Sequence, residues 1–317
     1  MAVYKTGDAI GERESLANTI ERIDPSECPL YSNAKKQVVK GVFHEWQVQE
    51  LASASASNHQ NEGLDFSYVN PTATTRLGNY CQISANAGSV SGTLDSVDKA
   101  GRDRETAYVK VLKGLEQKRD IEKYLFSNTA RSGSDPRKTA SLPTWITNAD
   151  FSTAGSTSAV ATGDGSDTAT MTGDNRALTL ALIDNAMELA YTDGGNPDML
   201  VMSPKNKVAF SDLSSGSVVT NQLHMTAPKE MSIIGSASLY LTDFGELSAV
   251  IDRHANDTEI YLLDSDHYAI GHLPNRMMKV VDVAPTGDAT KFSILSEWNL
   301  IISAPKAHGA VYDLSTS

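Results

Sequence analysis

The chain has 317 residues, and its 27 Lys and Arg against 39 Asp and Glu give a formal net charge of −12. This acidic balance argues against a protein that holds nucleic acid by neutralising phosphates, because such binding needs clustered cations. Apolar residues make up 40% of the chain, which argues against wholesale disorder. The chain has no run of about 18 apolar residues, so we expect no membrane-spanning helix and no membrane partner.

Residues 1–36 are polar with scattered apolar positions. Leu16, Ile20 and Ile23 fall in a stretch, 15–23, that can form a short helix. Pro25 ends this helix, because the residue before a proline is pushed out of the helical region. The segment has too few apolar residues to bury a core of its own, so we expect an arm and not a domain.

Two alternating segments, 37–51 and 72–84, flank a stretch of small and polar residues. This pattern predicts a long β-hairpin with arms of about 45 Å. Apolar residues that include Val42, Trp46 and Leu77 lie along its strands, and Arg76 lies beside Leu77. Because an isolated two-stranded ribbon is marginally stable in water, the hairpin is expected to lie on its own chain or on another subunit.

The clearest helix is predicted over residues 98–127, with a length of about 45 Å. Its apolar stripe comprises Tyr108, Val111, Leu112, Leu115 and Phe126. We expect this stripe to cover the last two long strands of the chain, over 277–283 and 292–302. Arg119 and Glu122 lie on the same stripe, and we expect them to pair with each other or with a neighbouring subunit.

The rest of the chain contains first a stretch rich in small polar residues and then a segment with alternating helices and strands. Residues 129–176, and 151–174 above all, are rich in small polar residues and predict a loop or a poorly packed surface excursion. A compact α+β unit is predicted from 177 to 273. It begins with a helix over 177–191, and its second helix opens at Ser203, which acts as the cap before Pro204. Its short strands are predicted at 199–202, 239–241, 249–252 and 260–263.

No motif for catalysis, a cofactor or a metal is found. The seven histidines are dispersed, and Asp164, Asp167 and Asp174 lack the spacing of a calcium loop. Asp264 and Asp266 are interpreted as helix caps, with an acid–base pair as the less favoured reading. Two cysteines, Cys28 and Cys81, are interpreted as reduced thiols, while a disulfide between them stays open. We therefore expect no catalytic residue, no cofactor and no required metal.

The order of parts is distinctive: an arm, a long hairpin, a long helix, an α+β unit and closing strands. This order resembles the Hong Kong 97-type major capsid protein of tailed bacteriophages. The likeness is carried by collinear segments over nearly the whole chain: DPSECPLYS (24–32), HEWQ (44–47), RLGNYCQI (76–83), VSGTLDSVDKAGRDRETAY (90–108), LPTWITN (142–148), GGNPDMLVMSPKNK (194–207) and KAHGAVYDL (306–314).

The resemblance implies an α+β, Hong Kong 97-type fold with five parts. They are an N-terminal arm (1–36), an E-loop hairpin (37–92), the P-domain spine helix with the following loop (93–175), an A-domain (176–273), and P-domain closing strands with the tail (274–317). It also implies a non-catalytic subunit of an icosahedral shell around double-stranded DNA. The inter-subunit contact candidates are Val42, Trp46, Leu77, Arg76, Arg119 and Glu122.

The partners implied by the resemblance are other copies of the chain in hexamers and pentamers, with portal and scaffolding proteins. We expect the scaffold to be a separate protein, because the chain starts directly at the arm. Decoration proteins remain open, and the DNA is enclosed without specific binding in a virion assembled in the bacterial cytoplasm. Two alternatives stay open: an encapsulin-like nanocompartment of the same fold, and an α/β hydrolase-type enzyme built on 177–303.

Overall fold

In the computed structural model the described residues are 26–215 and 239–315, except 64, 66, 67, 69, 100, 102, 156 and 286. The expected arm helix over 15–23 lies outside the described residues. The helices are α1 (Pro29–Asn33), α2 (Gly92–Ser96), α3 (Glu105–Leu125), α4 (Leu180–Thr192) and α5 (Pro204–Ser215). The strands are β1 (Lys35–Val38), β2 (Phe43–Val48), β3 (Thr75–Tyr80), β4 (Gln82–Ser91), β5 (Asn148–Asp150), β6 (Met199–Met202), β7 (Leu239–Leu241), β8 (Glu246–Ile251), β9 (Ile260–Leu263), β10 (Tyr268–His272), β11 (Lys279–Val283), β12 (Ala289–Ile302) and β13 (Gly309–Val311).

The first sheet is built around β12, which has 14 residues. One edge of β12 pairs antiparallel with β10 and then with β11, while its other edge pairs antiparallel with β4. The strand β1 adds in parallel to β10. Trp298, in the middle of this arrangement, is fully buried and donates from Nε1 to Ser84 Oγ at 3.0 Å. The two predicted closing strands are therefore confirmed, and β12 is the centre of the sheet.

The long helix α3 packs across this sheet. Gln117 is fully buried and donates to Ser84 O of β4 at 2.8 Å, and Lys110 pairs with Asp282 of β11 at 2.8 Å. The expected contact with the closing strands is confirmed. The expected length is wrong, because α3 has 21 residues and spans about 31 Å. The stripe is also only partly right, since Val111 is 61% exposed, whereas Ile121, which the stripe did not include, is 1% exposed.

The second sheet has six strands in the order β5-β13-β9-β6-β8-β7. Helices α4 and α5 cover it and bury a cluster that includes Ile183, Met187, Leu200, Phe210 and Leu262. Ser203 accepts a hydrogen bond from Asn206 N at 3.3 Å, so the predicted cap of α5 is confirmed. Strands β5 and β13 come from outside 176–273, whereas β10 of that span joins the first sheet. Sheet membership thus cuts across the boundaries expected from the resemblance.

Residues 129–176 contribute to the core, and the expectation of a poorly packed excursion is wrong. Trp145 and Ile146 are fully buried, and Ala161 and Ala169 are 2% and 5% exposed. The segment 142–144 forms one turn of 3₁₀ helix that places these residues inside. Small side chains suit this position, because they let the loop approach the sheet closely enough to exclude water.

The expected hairpin is present but shorter. Only β2 and β3 pair as a hairpin, over six residues each, or about 20 Å. Residues 37–38 and 82–84, which the sequence assigned to the strands of the ribbon, instead pair with β10 and β12. Among the described residues, no helix has the length and apolar character needed to cross a membrane.

Candidate assembly surface

The hairpin is held by its base to the body of the subunit. Asn79 is fully buried, and its Nδ2 donates to Leu300 O at 2.7 Å while its Oδ1 accepts from Ala140 N at 2.8 Å. Its neighbour Gly78 leaves no room for a side chain, because a Cβ there would lie 2.7 Å from the Phe43 ring. The base is therefore a fixed attachment point, and the sequence analysis did not identify it.

Two of the expected contact residues lie on the inner side of the hairpin. Trp46 pairs with Leu77 across the two strands, and both are half-buried against the main core. The ring of Trp46 lies 5.4 Å from that of Trp145, centroid to centroid. These side chains contact the hairpin's own chain. The sequence predicts contact either with the same chain or with another subunit.

Two others lie on the outer side. Arg76 forms an exposed ion pair with Glu45 at 3.7 Å, and such pairs contribute little to stability. Val42, just before β2, is 39% exposed. Both side chains are accessible to a neighbouring subunit.

The tip of the hairpin extends into solvent. Every described residue from 51 to 76 is exposed. Leu51 is 96% exposed and Tyr68 is 93% exposed, which is unusual for large apolar side chains. Glu50 is tied to Lys306 by an ion pair at 2.8 Å, so the direction in which the tip leaves the subunit is partly fixed.

A groove of about 300 Å³ runs between α3 and the strands β11 and β12. Its apolar lining includes Val111, Leu115 and Val280, and Lys110 and Lys118 also line it. The tip carries acidic residues, among them Glu62 and Asp65, beside its exposed apolar ones. Lys118 in the groove is opposite in charge to these acidic residues, whereas Lys110 is already paired with Asp282, and both surfaces carry apolar side chains.

The last pair of expected contact residues lies on α3. Arg119 is half-buried, whereas Glu122 is fully buried inside its own chain. Glu122 accepts hydrogen bonds from the backbone N–H groups of Leu30 and Tyr31 at 2.7 and 2.8 Å. The expectation that Glu122 pairs with Arg119 or meets a neighbouring subunit is wrong, because both oxygens of its carboxyl group already accept hydrogen bonds inside the chain.

A charged clamp on β12 was also missed by sequence reasoning. The carboxylate of Glu297, whose side chain is 7% exposed, binds Arg137 Nη2 at 2.9 Å and Arg276 Nε at 2.8 Å. It joins three segments that lie up to 160 residues apart in sequence. No sequence signal marks this carboxylate, because its two partners are brought to it only by the fold.

The candidate chemical groups show no common site. Cys28 and Cys81 are free thiols, and burial raises the pKa of each to about 11. Asp264 accepts a hydrogen bond from Asp266 N in a turn at 2.9 Å, so it caps a turn and not a helix. Within the described ranges no cluster of three or more His, Cys, Asp or Glu can hold a metal ion.

A family model described as the SU10 major capsid protein matches residues 3–315. The chain belongs to the SU10 major capsid protein family. A curated relative, the major capsid protein of Escherichia phage Phieco32, is 32% identical over 130 residues. The match covers 41% of this chain and 37% of that protein, so the chain matches little more than a third of this relative's length.

Solved structures place the SU10 family chain in the Hong Kong 97-type fold. The capsid asymmetric unit of cyanophage A-1(L) has a TM-score of 0.64 at 13% identity and covers 98% of both chains. A structure of Mycobacterium phage Ogopogo has a TM-score of 0.59 at 12% identity, over 98% of this chain and 100% of that chain. The holo-SrpI encapsulin complex from Synechococcus elongatus PCC 7942 has a TM-score of 0.58 at 12% identity. The match covers 97% of this chain and 94% of that chain. The expected α+β capsid fold is confirmed.

Proposed function

We propose that this chain self-assembles through hexamers and pentamers into the icosahedral shell that encloses the double-stranded DNA genome of a tailed phage. The observation that carries the proposal is the hairpin tip, where every described residue from 51 to 76 is exposed and Leu51 and Tyr68 lie in solvent. A ribbon that leaves its own subunit with large apolar side chains exposed gains stability only against another surface. Membership of a capsid family makes a second copy of the chain the expected surface.

The groove beside α3 is the surface that we assign to the tip of a neighbouring subunit. Burying Leu51 or Tyr68 there contributes roughly 1.5–3 kcal/mol per side chain. Lys118 complements the acidic residues of the tip. Arg76, at the tip end of β3, and Val42, just before β2 at the base of the hairpin, are proposed to add contacts along the hairpin.

The net charge of −12 fits a container for densely packed DNA. A cationic inner wall would bind phosphates and oppose both packaging and release. The role is structural and non-catalytic. We further propose that assembly takes place in the host cytoplasm and uses portal and scaffolding proteins.

Electron microscopy of the purified chain tests the assembly. We expect shells or hexamers and pentamers, whereas uniformly monomeric particles would contradict the proposal. Leu51→Asp should lower the yield of shells at least tenfold without changing the thermal transition of the subunit, because the side chain is 96% exposed. Ser53→Asp, on the same exposed tip, is the matched control and should assemble normally.

The second candidate, a protein nanocompartment, is favoured by the structural likeness to the encapsulin complex. The contents of particles recovered from infected cells separate the two functions. Nuclease-protected double-stranded DNA supports the phage shell. Particles that hold a single protein cargo and no DNA support the nanocompartment.

A further inference from the structure

Two carboxyl groups are completely buried where the arm meets α3. Glu122 belongs to α3, and Asp252 follows the last residue of β8. Glu122 Oε1 accepts from Leu30 N and Glu122 Oε2 accepts from Tyr31 N. Since these N–H groups lie in the first turn of α1, they have no partner within that helix. Glu122 therefore fixes the segment 28–34 to α3.

Asp252 presents an oxygen that lacks a donor. Its Oδ1 accepts from His254 N at 2.7 Å, but no N–H or O–H group of the described residues donates to its buried Oδ2. The carboxyl group of Glu122 is the hydrogen-bonding neighbour of Asp252. Two ionised carboxylates in contact away from water repel strongly, whereas one proton between them removes the repulsion and satisfies the oxygen.

We propose that Glu122 and Asp252 share one proton, and that this proton latches the segment 28–34 and the turn after β8 onto α3. Loss of the proton releases the segment 28–34 from α3. The latch thereby makes the attachment of the arm sensitive to pH. It joins three parts of the chain that are far apart in sequence: the arm, the spine helix and the second sheet.

The electrostatics of the site agree with a retained proton. Burial first, and then the hydrogen bond and charge of Asp252, raise the pKa of Glu122 to about 9. The two backbone N–H groups act in the opposite direction and are outweighed.

Other groups that face the pair define the window for a test. Lys118 and Arg119 of α3 supply positive charge. Burial raises the pKa of Tyr268 of β10, so this phenol stays protonated at every pH of the test. Burial lowers the pKa of His254, which therefore takes up a proton on opening at acid pH. Burial lowers the pKa of Lys36 to about 8 and raises that of Cys28 to about 11. Between pH 6.5 and 7.5 the proton of the carboxyl pair is the largest difference in proton binding between the closed and open states.

The direction of the pH dependence follows from the number of protons that the open and closed states bind. In the open state both carboxyl groups are ionised above about pH 4.5. In the closed state the pair keeps one proton, so opening releases one proton. The contribution of this pair to the equilibrium constant for opening should therefore rise about tenfold from pH 6.5 to pH 7.5.

Hydrogen–deuterium exchange of the purified chain measures this constant for the segment 28–34, after correction for the intrinsic pH dependence of exchange. The expected result is a rise in the wild type that exceeds the change in Glu122→Gln and in Asp252→Asn by about tenfold, because proton uptake by His254 and Lys36 is common to all three proteins. In Asp252→Asn the side-chain amide donates to Glu122 permanently, which replaces the shared proton. This variant decides the test alone if Glu122→Gln fails to fold.

Glu188→Gln, at an exposed position of α4, is the control and should keep the wild-type rise. A wild-type profile no steeper than that of Asp252→Asn would overturn the proposal, since the pair would then release no proton on opening. A tenfold rise that persists in Asp252→Asn would also overturn it. In that case the pH dependence would come from another group.

Discussion

Trp46 of the hairpin and Trp145 of the body pack ring against ring, with their centroids 5.4 Å apart and their planes inclined by 36°. Trp145 is fully buried, while Trp46 is half-buried at the edge of the core. This contact and the buried Asn79 join a ribbon that is otherwise exposed to the rigid part of the subunit. The angle at which the tip leaves the subunit thus depends on two aromatic rings that are 99 residues apart.

We expect Trp46→Ala to destabilise the subunit by about 2 kcal/mol, less than for a fully buried tryptophan because the ring is only half-buried. It should also reduce the yield of shells, since the hairpin loses its support. Urea denaturation and electron microscopy measure the two effects. Gln47→Ala, on the opposite face of β2, is the control. Equal stability and normal shells for Trp46→Ala would show that the ring pair does not support the hairpin.

Two glycines should respond to alanine in opposite directions. A Cβ at Gly114, inside α3, would meet only Ile294 Cδ1 at 3.9 Å, so Gly114→Ala should stabilise the subunit by about 0.5–1 kcal/mol through helix propensity. A Cβ at Gly195 would lie 2.5 Å from Ala307 Cα and 2.6 Å from Ala307 O. Because backbone atoms cannot move aside easily, Gly195→Ala should be strongly destabilising. Thermal denaturation of both variants checks this, and a shift of the same sign in both would contradict the packing described here.

The spine helix should be more sensitive at Ile121 than at Leu115. Ile121 is 1% exposed, so Ile121→Ala should cost about 2–5 kcal/mol. Leu115 lines the open groove and is only half-buried, so Leu115→Ala should cost about 1 kcal/mol. Leu115→Asp should instead block assembly, because it places a charge where the hairpin tip of a neighbour is proposed to bind. Denaturant titration and particle yield separate the two roles, and normal shells from Leu115→Asp would remove the groove from the interface.

The stability of the subunit should contain an acid-sensitive contribution from His308. The ring is fully buried, and burial lowers its pKa to about 4. The unfolded chain binds a proton at this histidine below about pH 6.5 and the folded chain does not, so stability is lost as the pH falls from 6.5 towards 4. The expected slope is about 1.4 kcal/mol per pH unit. His308→Gln should remove this slope in urea titrations between pH 4.5 and 6.5, and an unchanged slope would assign it to another group.

Several local features follow directly from the order of residues. Ser203 and Pro204 predict the start of α5, and the apolar run 199–202 predicts a strand that is buried throughout. The alternation around Trp46 and Leu77 predicts paired strands. These predictions succeed because capping, turn formation and alternation depend on residues a few positions apart.

The important side chains of the candidate site were harder to foresee. Asn79 binds Leu300, 221 residues away, and Glu122 binds the backbone of Leu30, 92 residues away. A buried carboxyl group on a helix looks like half of a surface ion pair when only its own helix is considered. The arrangement of the fold decides instead that its partners are backbone N–H groups.

The sequence by itself determined the acidic balance, the approximate positions of α3, α4 and α5 and the capsid-type order of parts, because each depends on composition or on local pattern. The tertiary structure decided which strands pair, how far the hairpin is free, and which charges are buried. The alternating segment 82–91 is compatible with a free ribbon or with a sheet, and pairing with β12 selects the sheet. The physical reason is that a strand's pattern specifies which faces it buries, whereas its partner is set by long-range contacts that only the folded chain brings together.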